Sequence, residues 1–489
     1  VIALPPFSFF IFAFFCLIPL LYLLEKCKPK KAAMFLALFS FLSHLIILYW
    51  LPRVMIKYGG TSPLLSIIAL FSLSLYIALF SGILGLLGSY FFRITRYAIF
   101  IIPILWITKD FALETLLTGF PWCLLGYSQY KHIILLQWAD LGGIHFISFI
   151  IIMINCLVYS CFKFHQRFFK VILIFFVLIF ELGGWSKLIS FQQHFSSKSK
   201  EFAGIIQPNV SHDTQFSLST IDSRLRKLFQ QSISLSNQGA SFIVWPEFTV
   251  PIYPMQSEFY LRKFQTFSSD HVPIIAGFTD FQDYQHIYNS VFLFCKEKTN
   301  QYNKVHLAPF GEYIPFRKAL FFIKKITDEI GDFTPGDRIE NLNCLGHSFS
   351  VPICFEIIYP ELVRAFTRKG GEIIITISND SWFGFTSAPF QHLAMSVFRA
   401  VENRRYLLRS TSNGISAAIA PDGKIITSIP YGDEDTLIAP FSYLSQISFF
   451  TRIGYLFPYS CFGISMVVIL LTLIPAWKKN DYKSRKHVI

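Results

Sequence analysis

Ser350-Val351-Pro352-Ile353-Cys354-Phe355-Glu356 carries a β-rich run into a single cysteine. Two other runs, Ile243-Val244-Trp245-Pro246-Glu247 and Tyr302-Asn303-Lys304, lead in the same way to a carboxylate and an ammonium. A free thiol has a pKa of about 8.5 and is mostly protonated at neutral pH. Acyl chemistry on it needs a base to take its proton and a cation or dipole to hold the oxyanion. Cys354, Glu247 and Lys304 would fill those three roles. All three stand after strand-like runs, where α/β folds gather their reactive groups on converging loops held by a rigid sheet.

The flanking pattern fits such a fold. Expected strands are Phe202 to Ile206, Phe242 to Trp245, Ile274 to Gly277, Ser290 to Phe294, Ser348 to Ile353 and Glu372 to Ser378, then Leu407 to Ile419 paired with Ile425 to Ile429 across Pro421-Asp422-Gly423. Expected helices are Ser219 to Asn237, with Ile221, Leu225, Leu228 and Phe229 on one face, then Ser257 to Ser269, Tyr359 to Lys369 and Gln391 to Asn403. Strands and helices mixed in one region predict a layered α/β sandwich rather than a bundle or an all-β fold.

Composition places that region inside a larger plan. The 489 residues are 53% hydrophobic and 18% aromatic with only 15% charged, far from a soluble average. A bilayer core of about 30 Å needs about 20 apolar residues per helix. That length recurs at Leu4 to Leu24, Ala32 to Leu51, Leu64 to Phe91, Tyr97 to Leu117, Trp138 to Phe162, Val171 to Ser190 and Tyr455 to Trp477. Three parts follow: membrane helices over 1–197, a globular domain over 198–443, and a last span with a basic tail over 444–489.

Lys and Arg set the orientation. Lys26, Lys28, Lys30 and Lys31, Arg93 and Arg96, Lys163, Arg167 and Lys170, and the tail from Lys478 to Lys486 fall on one side. The opposite short loops carry only Arg53, Lys57 and Lys131. The positive-inside rule puts the first set in the cytoplasm and the globular domain outside it, which in a bacterium means the periplasmic face or its equivalent. The first visible span then runs inward, and residue 1 is Val. Both predict that a preceding span is missing, with a cleaved signal peptide as the alternative.

The net charge of +13 is mostly this loop and tail excess. With no basic stripe interleaved with stacking aromatics in the globular part, nucleic acid is not expected as a partner. Six of the nine cysteines lie in or beside apolar spans, where the side chain acts as a small hydrophobe. Cys295, Cys344 and Cys354 remain, without zinc-like spacing, and neither a metal nor a cofactor is expected. In an oxidising compartment Cys295 and Cys344 could pair, leaving Cys354 free.

The motifs taken together resemble the apolipoprotein N-acyltransferase family, membrane-embedded members of the nitrilase-like carbon-nitrogen hydrolases. The resemblance runs in order through Gly119-Phe120-Pro121-Trp122, Gly126-Tyr127-Ser128-Gln129, Trp245-Pro246-Glu247 and Tyr302-Asn303-Lys304. It continues through Pro309-Phe310-Gly311-Glu312, Ile353-Cys354-Phe355-Glu356, Ile377-Ser378-Asn379-Asp380-Ser381-Trp382-Phe383-Gly384 and Leu408 to Gly414. It implies a polytopic transmembrane bundle carrying an extracytoplasmic αββα domain with a Glu-Lys-Cys triad. It also implies a ping-pong reaction: the cysteine takes an acyl chain from a phospholipid as a thioester and passes it to the α-amino group of a diacylglyceryl-cysteine apolipoprotein.

On that resemblance Cys354 is the nucleophile, Glu247 the base and Lys304 the oxyanion cation. Glu312 would position Lys304 or assist proton transfer, and Glu356 would act on site geometry. Phe355 stands where the family often has Tyr, which removes a hydroxyl hydrogen bond. Phe216 stands where the family tends to carry Trp on a mobile lid. Asn379 and Trp382 would shape the pocket. Asp110 and Glu114, one turn apart in an apolar segment, would lie at the membrane interface or approach a headgroup or the acceptor amine. His306 and His392 show no partner pattern and are expected to be structural.

Soluble relatives with the same triad hydrolyse amides and nitriles, so the membrane context decides between transfer and hydrolysis. A thioester whose chain stays in the bilayer is shielded from water, and an acceptor in the same membrane arrives at high effective concentration. A membrane-tethered amidase is the first alternative. A lipid carrier that has lost activity is the second, weakened by the intact triad and by spans without an evident internal repeat.

Overall fold

A computed structural model describes residues 1–57, 60–95, 97–164, 166–195, 200–210, 217–283, 286–309, 311–313 and 333–472. Arg96, Phe216, Phe310 and the basic tail from Lys478 fall outside them. The chain forms two compact units. One comprises Val1–Tyr49, Ile67–Ser190 and Ile453–Ile489, the other Trp50–Ser66 and Phe191–Arg452.

Among the described residues, four helices are long and apolar enough to cross a membrane: Pro29–Ile47, Pro63–Ile94, Ala139–Phe164 and Arg167–Gln193. They cover four of the seven expected spans. Ala139–Phe164 is the core of the first unit, with 78% of its apolar window buried, against 6% for Arg167–Gln193, whose Phe175, Leu178 and Leu182 are exposed. A helix apolar all round yet unburied by protein requires lipid as its solvent.

The remaining three expected spans differ in form. Leu4 to Leu24 is broken into a 3-10 turn, Phe10–Phe14, and a helix, Ile18–Lys26. Asn155 makes that break tolerable by donating to the Ala13 carbonyl at 2.8 Å and accepting the Leu17 N–H at 3.0 Å. Ala98–Thr115 is a continuous helix that carries Lys109, Asp110 and Glu114 towards its end. Leu456–Leu471 is 16 residues long within the described part of the last span.

Among the described residues the second unit holds twelve strands. In the first half these are β1 (Glu201–Gln207), β2 (Phe242–Val244), β3 (Ile274–Phe281), β4 (Ile287–Cys295), β5 (Lys298–Asn303) and β6 (Leu342–Cys344). In the second half they are β7 (His347–Ser350), β8 (Ile373–Ser378), β9 (Leu407–Thr411), β10 (Ser416–Ile419), β11 (Ile425–Ile429) and β12 (Asp435–Phe441). They build two six-stranded sheets, ordered β12-β1-β2-β3-β4-β5 and β11-β10-β9-β8-β7-β6. Each has a parallel centre, β1-β2-β3 or β7-β8-β9, with antiparallel strands outside it.

Period-two alternation makes the layers. Ala203, Ile205, Phe242, Val244 and Ile275 of one sheet share a buried core with Phe349, Ile373, Ile375, Ile377 and Leu408 of the other. The alternate residues Ile206, Ile243, Trp245, Ile274 and Phe278 pack outward on Leu225, Leu228 and Phe229 of helix Leu218–Asn237 and on Phe264 and Phe267 of helix Glu258–Asp270. Helices Pro360–Arg368 and Ala388–Asn403 lie against the second sheet. The result is the expected αββα order. Cys295 at the end of β4 and Cys344 at the end of β6 form a disulfide, joining the two sheets and leaving Cys354 free.

Candidate active site

Pro246 has no N–H to extend a ladder, so β2 stops at Val244 and turns Glu247 out of the sheet. The turn is close-packed: a Cβ on Gly277 of β3 would lie 2.9 Å from the Glu247 Cα. Lys304 follows β5, its N–H bonded to the Asn289 carbonyl at 2.9 Å. Cys354 opens the 3-10 turn Cys354–Ile358 with φ +48°, a left-handed conformation that a non-glycine residue adopts at a cost of about 1–3 kcal/mol. Such a turn lifts a side chain off the end of its strand.

These loops bring the three residues into one polar cluster. Lys304 Nζ lies 2.9 Å from Glu312 and 4.0 Å from Glu247 Oε1, with Lys304 and Glu247 both buried. Asn289 spends both amide hydrogens here, donating to Glu247 Oε1 at 2.7 Å and to Glu312 Oε1 at 2.6 Å. Backbone N–H groups take the outer oxygens, Asn379 to Glu247 at 2.8 Å and Ala308 to Glu312 at 2.7 Å. Asn379 thus serves through its main chain, while its side chain caps its own turn at Ser381.

Electrostatics follow from burial and neighbours. Burial raises the Glu247 pKa, and Glu312 adds to the rise while Lys304 opposes it, so this carboxyl can hold a proton that it has accepted. Burial works against the Lys304 charge, but Glu312, Cys354 and Glu247 outweigh it and keep the ammonium protonated above its ordinary range. Burial and the Glu247 charge push the Cys354 thiol up, with Lys304 and Ser378 pulling it down. Burial thus favours the thiol form of Cys354, with the Glu247 carboxyl and the Lys304 ammonium acting on it in opposite senses.

Glu356 lies beneath the cluster, fully buried. It accepts from the Tyr302 hydroxyl at 2.8 Å, from the Val305 and His306 N–H groups at 2.8 and 3.0 Å, and from the Ile353 N–H at 2.8 Å. The strand end carrying Lys304 and the turn carrying Cys354 are therefore fastened to one carboxylate. Phe355 is half-buried, its ring edge-on to Tyr359 at 5.5 Å. Trp382 is half-buried in the turn Asp380–Phe383.

His392 has partners that its sequence context did not suggest. Its Nε2 lies 3.2 Å from the Cys354 carbonyl, and its Nδ1 lies 3.0 Å from Arg409 and 3.3 Å from Asp380. Asp380 also takes Arg409 at 2.6 Å and the Ser378 hydroxyl at 2.7 Å. Ser378 in turn contacts the Cys354 sulfur at 3.3 Å. Sequence reasoning missed the functional potential of Asn289, Ser378, Asp380 and Arg409, although an arginine inside the wholly buried run Leu407–Thr411 signals a buried carboxylate partner.

Asp110 and Glu114 belong to the other unit. Asp110 pairs with Lys109 at 2.5 Å, and Glu114 bonds His145 at 2.8 Å and the Tyr455 hydroxyl. Trp50 belongs with the second unit: its indole donates to Gln391 at 3.3 Å and its ring lies edge-on to Phe383 at 5.2 Å. Among the described residues no group of His, Cys, Asp and Glu has the arrangement of a metal site.

A two-sheet sandwich with this polar cluster on a chain with membrane-length helices defines a membrane-borne carbon-nitrogen hydrolase, and residues 203–444 match the carbon-nitrogen hydrolase family model. Residues 1–157 match the model of the apolipoprotein N-acyltransferase N-terminal domain. The chain is 31% identical over 467 residues to the apolipoprotein N-acyltransferase of Geobacter metallireducens, covering 93% of this chain and 89% of that one. It is 29% identical to that of Shewanella oneidensis, covering 88% and 85%. A nitrilase-superfamily protein of Saccharomyces cerevisiae aligns in structure over 53% of this chain and 95% of its own at 18% identity and TM-score 0.40, a likeness too distant to add weight. The chain belongs to the apolipoprotein N-acyltransferase family. It is a multi-pass membrane enzyme of the nitrilase and amidase superfamily, with N-acyltransferase or amidase chemistry on a nitrilase-like fold.

Proposed function

We propose that the protein transfers an acyl chain from a membrane phospholipid to the N-terminal amino group of a diacylglyceryl-cysteine apolipoprotein, through a thioester on Cys354. The observation that carries this is the convergence of Cys354, Lys304 and Glu247 on a chain whose exposed apolar helices need lipid. Glu247 takes the thiol proton, and the thiolate attacks the ester carbonyl. Lys304 holds the oxyanion, positioned by Glu312. The C–O bond breaks, and Glu247 returns the proton to the leaving lysophospholipid. In the second half the amine attacks the thioester, Glu247 receives the amine proton, and the thiol is released reprotonated.

Trp382 would shape the pocket. The Asn379 N–H keeps Glu247 aimed, and Glu356 keeps the two halves of the triad in register. The Lys and Arg distribution supports a globular domain on the periplasmic side of the inner membrane, within residues 198–443 between membrane segments 1–197 and 444–489.

Product analysis tests the assignment. With labelled phospholipid and a diacylated lipopeptide, the label appears on the lipopeptide amine with one lysophospholipid per transfer. Release of the label only as free fatty acid, or hydrolysis of small amides without phospholipid, points instead to a membrane-tethered amidase.

A further inference from the structure

Ser378 ends β8 fully buried, and its one hydroxyl faces two acceptors. Its Oγ lies 2.7 Å from Asp380 Oδ1 and 3.3 Å from the Cys354 sulfur. A hydroxyl carries one hydrogen and can accept others, so it can donate to only one of these at a time. Among the described residues it supplies the one hydrogen bond to that sulfur.

We propose that Ser378 is a catalytic residue whose hydroxyl hydrogen turns from Asp380 to the Cys354 sulfur as the thiol ionises. The inference rests on Cys354 being the acyl-carrying nucleophile. In the resting site the hydroxyl satisfies Asp380 and can accept the S–H. When Glu247 removes the thiol proton, the sulfur becomes an acceptor only, and the hydroxyl rotates to meet it. Ser378 keeps its own proton throughout, and no bond to it is made or broken.

When the hydroxyl turns, Asp380 keeps its charge compensated through Oδ2, while Oδ1 is left facing His392 Nδ1 at 3.3 Å. Arg409 stays on its other oxygen at 2.6 Å. The Cys354 carbonyl can only accept, so the facing His392 Nε2, at 3.2 Å, carries the ring hydrogen. His392 Nδ1 then presents a lone pair to Arg409 at 3.0 Å. Arg409 thus holds the carboxylate and the neutral imidazole together. Gly414 leaves the room this requires, since a Cβ there would lie 2.3 Å from Asp380 Oδ2.

The charges facing the sulfur explain why such a donor is needed. Glu247 and Asp380 oppose a thiolate, and Lys304 favours it. Without Ser378, the thiolate would meet the Asp380 carboxylate with no proton between them. With it, a charge-assisted hydrogen bond forms only once the sulfur is charged, which selects the reactive state.

The test is the pH profile of iodoacetamide alkylation of Cys354 in the full-length protein in detergent without lipid, read by mass spectrometry of the Cys354 peptide. Ser378→Thr and Ser378→Val have the same shape and differ in the hydroxyl. The valine profile is expected to lie at least one pH unit above the threonine profile, about a tenfold slower reaction at a given pH on its rising limb. Ser378→Ala should move in the same direction. Superimposed Thr and Val profiles would overturn the inference. Alkylation needs no acyl donor, so a shifted profile in a protein that forms no thioester would sink the acyl-transfer assignment, and with it the catalytic role, while leaving the hydrogen bond from Ser378 to the ionised sulfur standing. Superimposed profiles in a protein that does form the thioester would remove Ser378 alone.

Discussion

Glu356 and Ile353 are joined by a 2.8 Å hydrogen bond from the Ile353 N–H, directly before Cys354, and the same carboxylate reaches Val305 and His306 just past Lys304. Position of cation against thiol therefore depends on a residue that touches neither. Glu356→Gln replaces one acceptor with a donor where all four partners donate, a mismatch worth about 1–3 kcal/mol. Single-turnover acyl transfer is expected to fall about 100-fold through misplacement, with KM little changed. A calorimetric melt should show the accompanying loss of stability.

Lys304→Met should leave Glu247 and Glu312 facing each other with only Asn289 between them. Removing one partner from such a buried set costs about 3–5 kcal/mol, and acyl-enzyme formation should drop by at least about 100-fold. Its pH dependence has a definite sign. Burial already raises the Glu247 pKa, and losing the cation raises it further. A folded carboxyl with a raised pKa binds protons that the unfolded chain does not, so the variant should gain stability as pH falls below neutrality. Melting temperatures of Lys304→Met across pH check this.

His306 should give the native protein the opposite acid trend. Burial, and then the Lys304 charge, lower its pKa from 6.5 to about 4. Above the unfolded value both states are neutral, and nothing is gained or lost. Between 6.5 and about 4 the unfolded chain takes a proton that the folded chain refuses, so stability falls with pH. His306→Gln is expected to flatten that slope in melting curves while leaving stability above neutrality nearly unchanged.

The Cys295–Cys344 disulfide closes the chain across 49 residues and joins β4 to β6 of opposite sheets. Replacing both cysteines with alanine should cost about 2–4 kcal/mol, seen as a lower melting temperature. Cys354 is neither part of the pair nor in competition with it, so its alkylation rate should hold.

How far the fold could be read from the chain depended on where the apolar residues fall. Central strands such as Ile373–Ser378 are buried on both faces and were evident as apolar runs. Lys298–Asn303 was not, because this sheet-edge strand is almost entirely polar. Leu342–Cys344 is only three residues long, and Asp435–Phe441, another edge strand, contains Pro440. Leu407 to Ile419 was expected as one hairpin arm but divides at Ser412-Asn413-Gly414 into β9 and β10, which pair with each other. The break brings Gly414 against Asp380.

The sequence singles out Glu247, Lys304 and Cys354 because each follows a strand-like run. Ser378, Asp380, His392 and Arg409 gather from β8, its following turn, a helix and β9. Three-dimensional packing joins them, and no spacing along the chain announces it. The break within the first expected membrane span was hidden for a comparable reason. Its break is stabilised by Asn155, far along the chain in the helix Ala139–Phe164.

The most direct test of acyl transfer through Cys354 is mass analysis of the protein quenched in acid after mixing with a phospholipid of defined acyl chain. A single acyl adduct should map to the Cys354 peptide, be released by neutral hydroxylamine, and disappear at the rate at which an added diacylated lipopeptide is acylated. Lipopeptide acylation at the native rate by Cys354→Ala, or product accumulating with no adduct at any time, would contradict it.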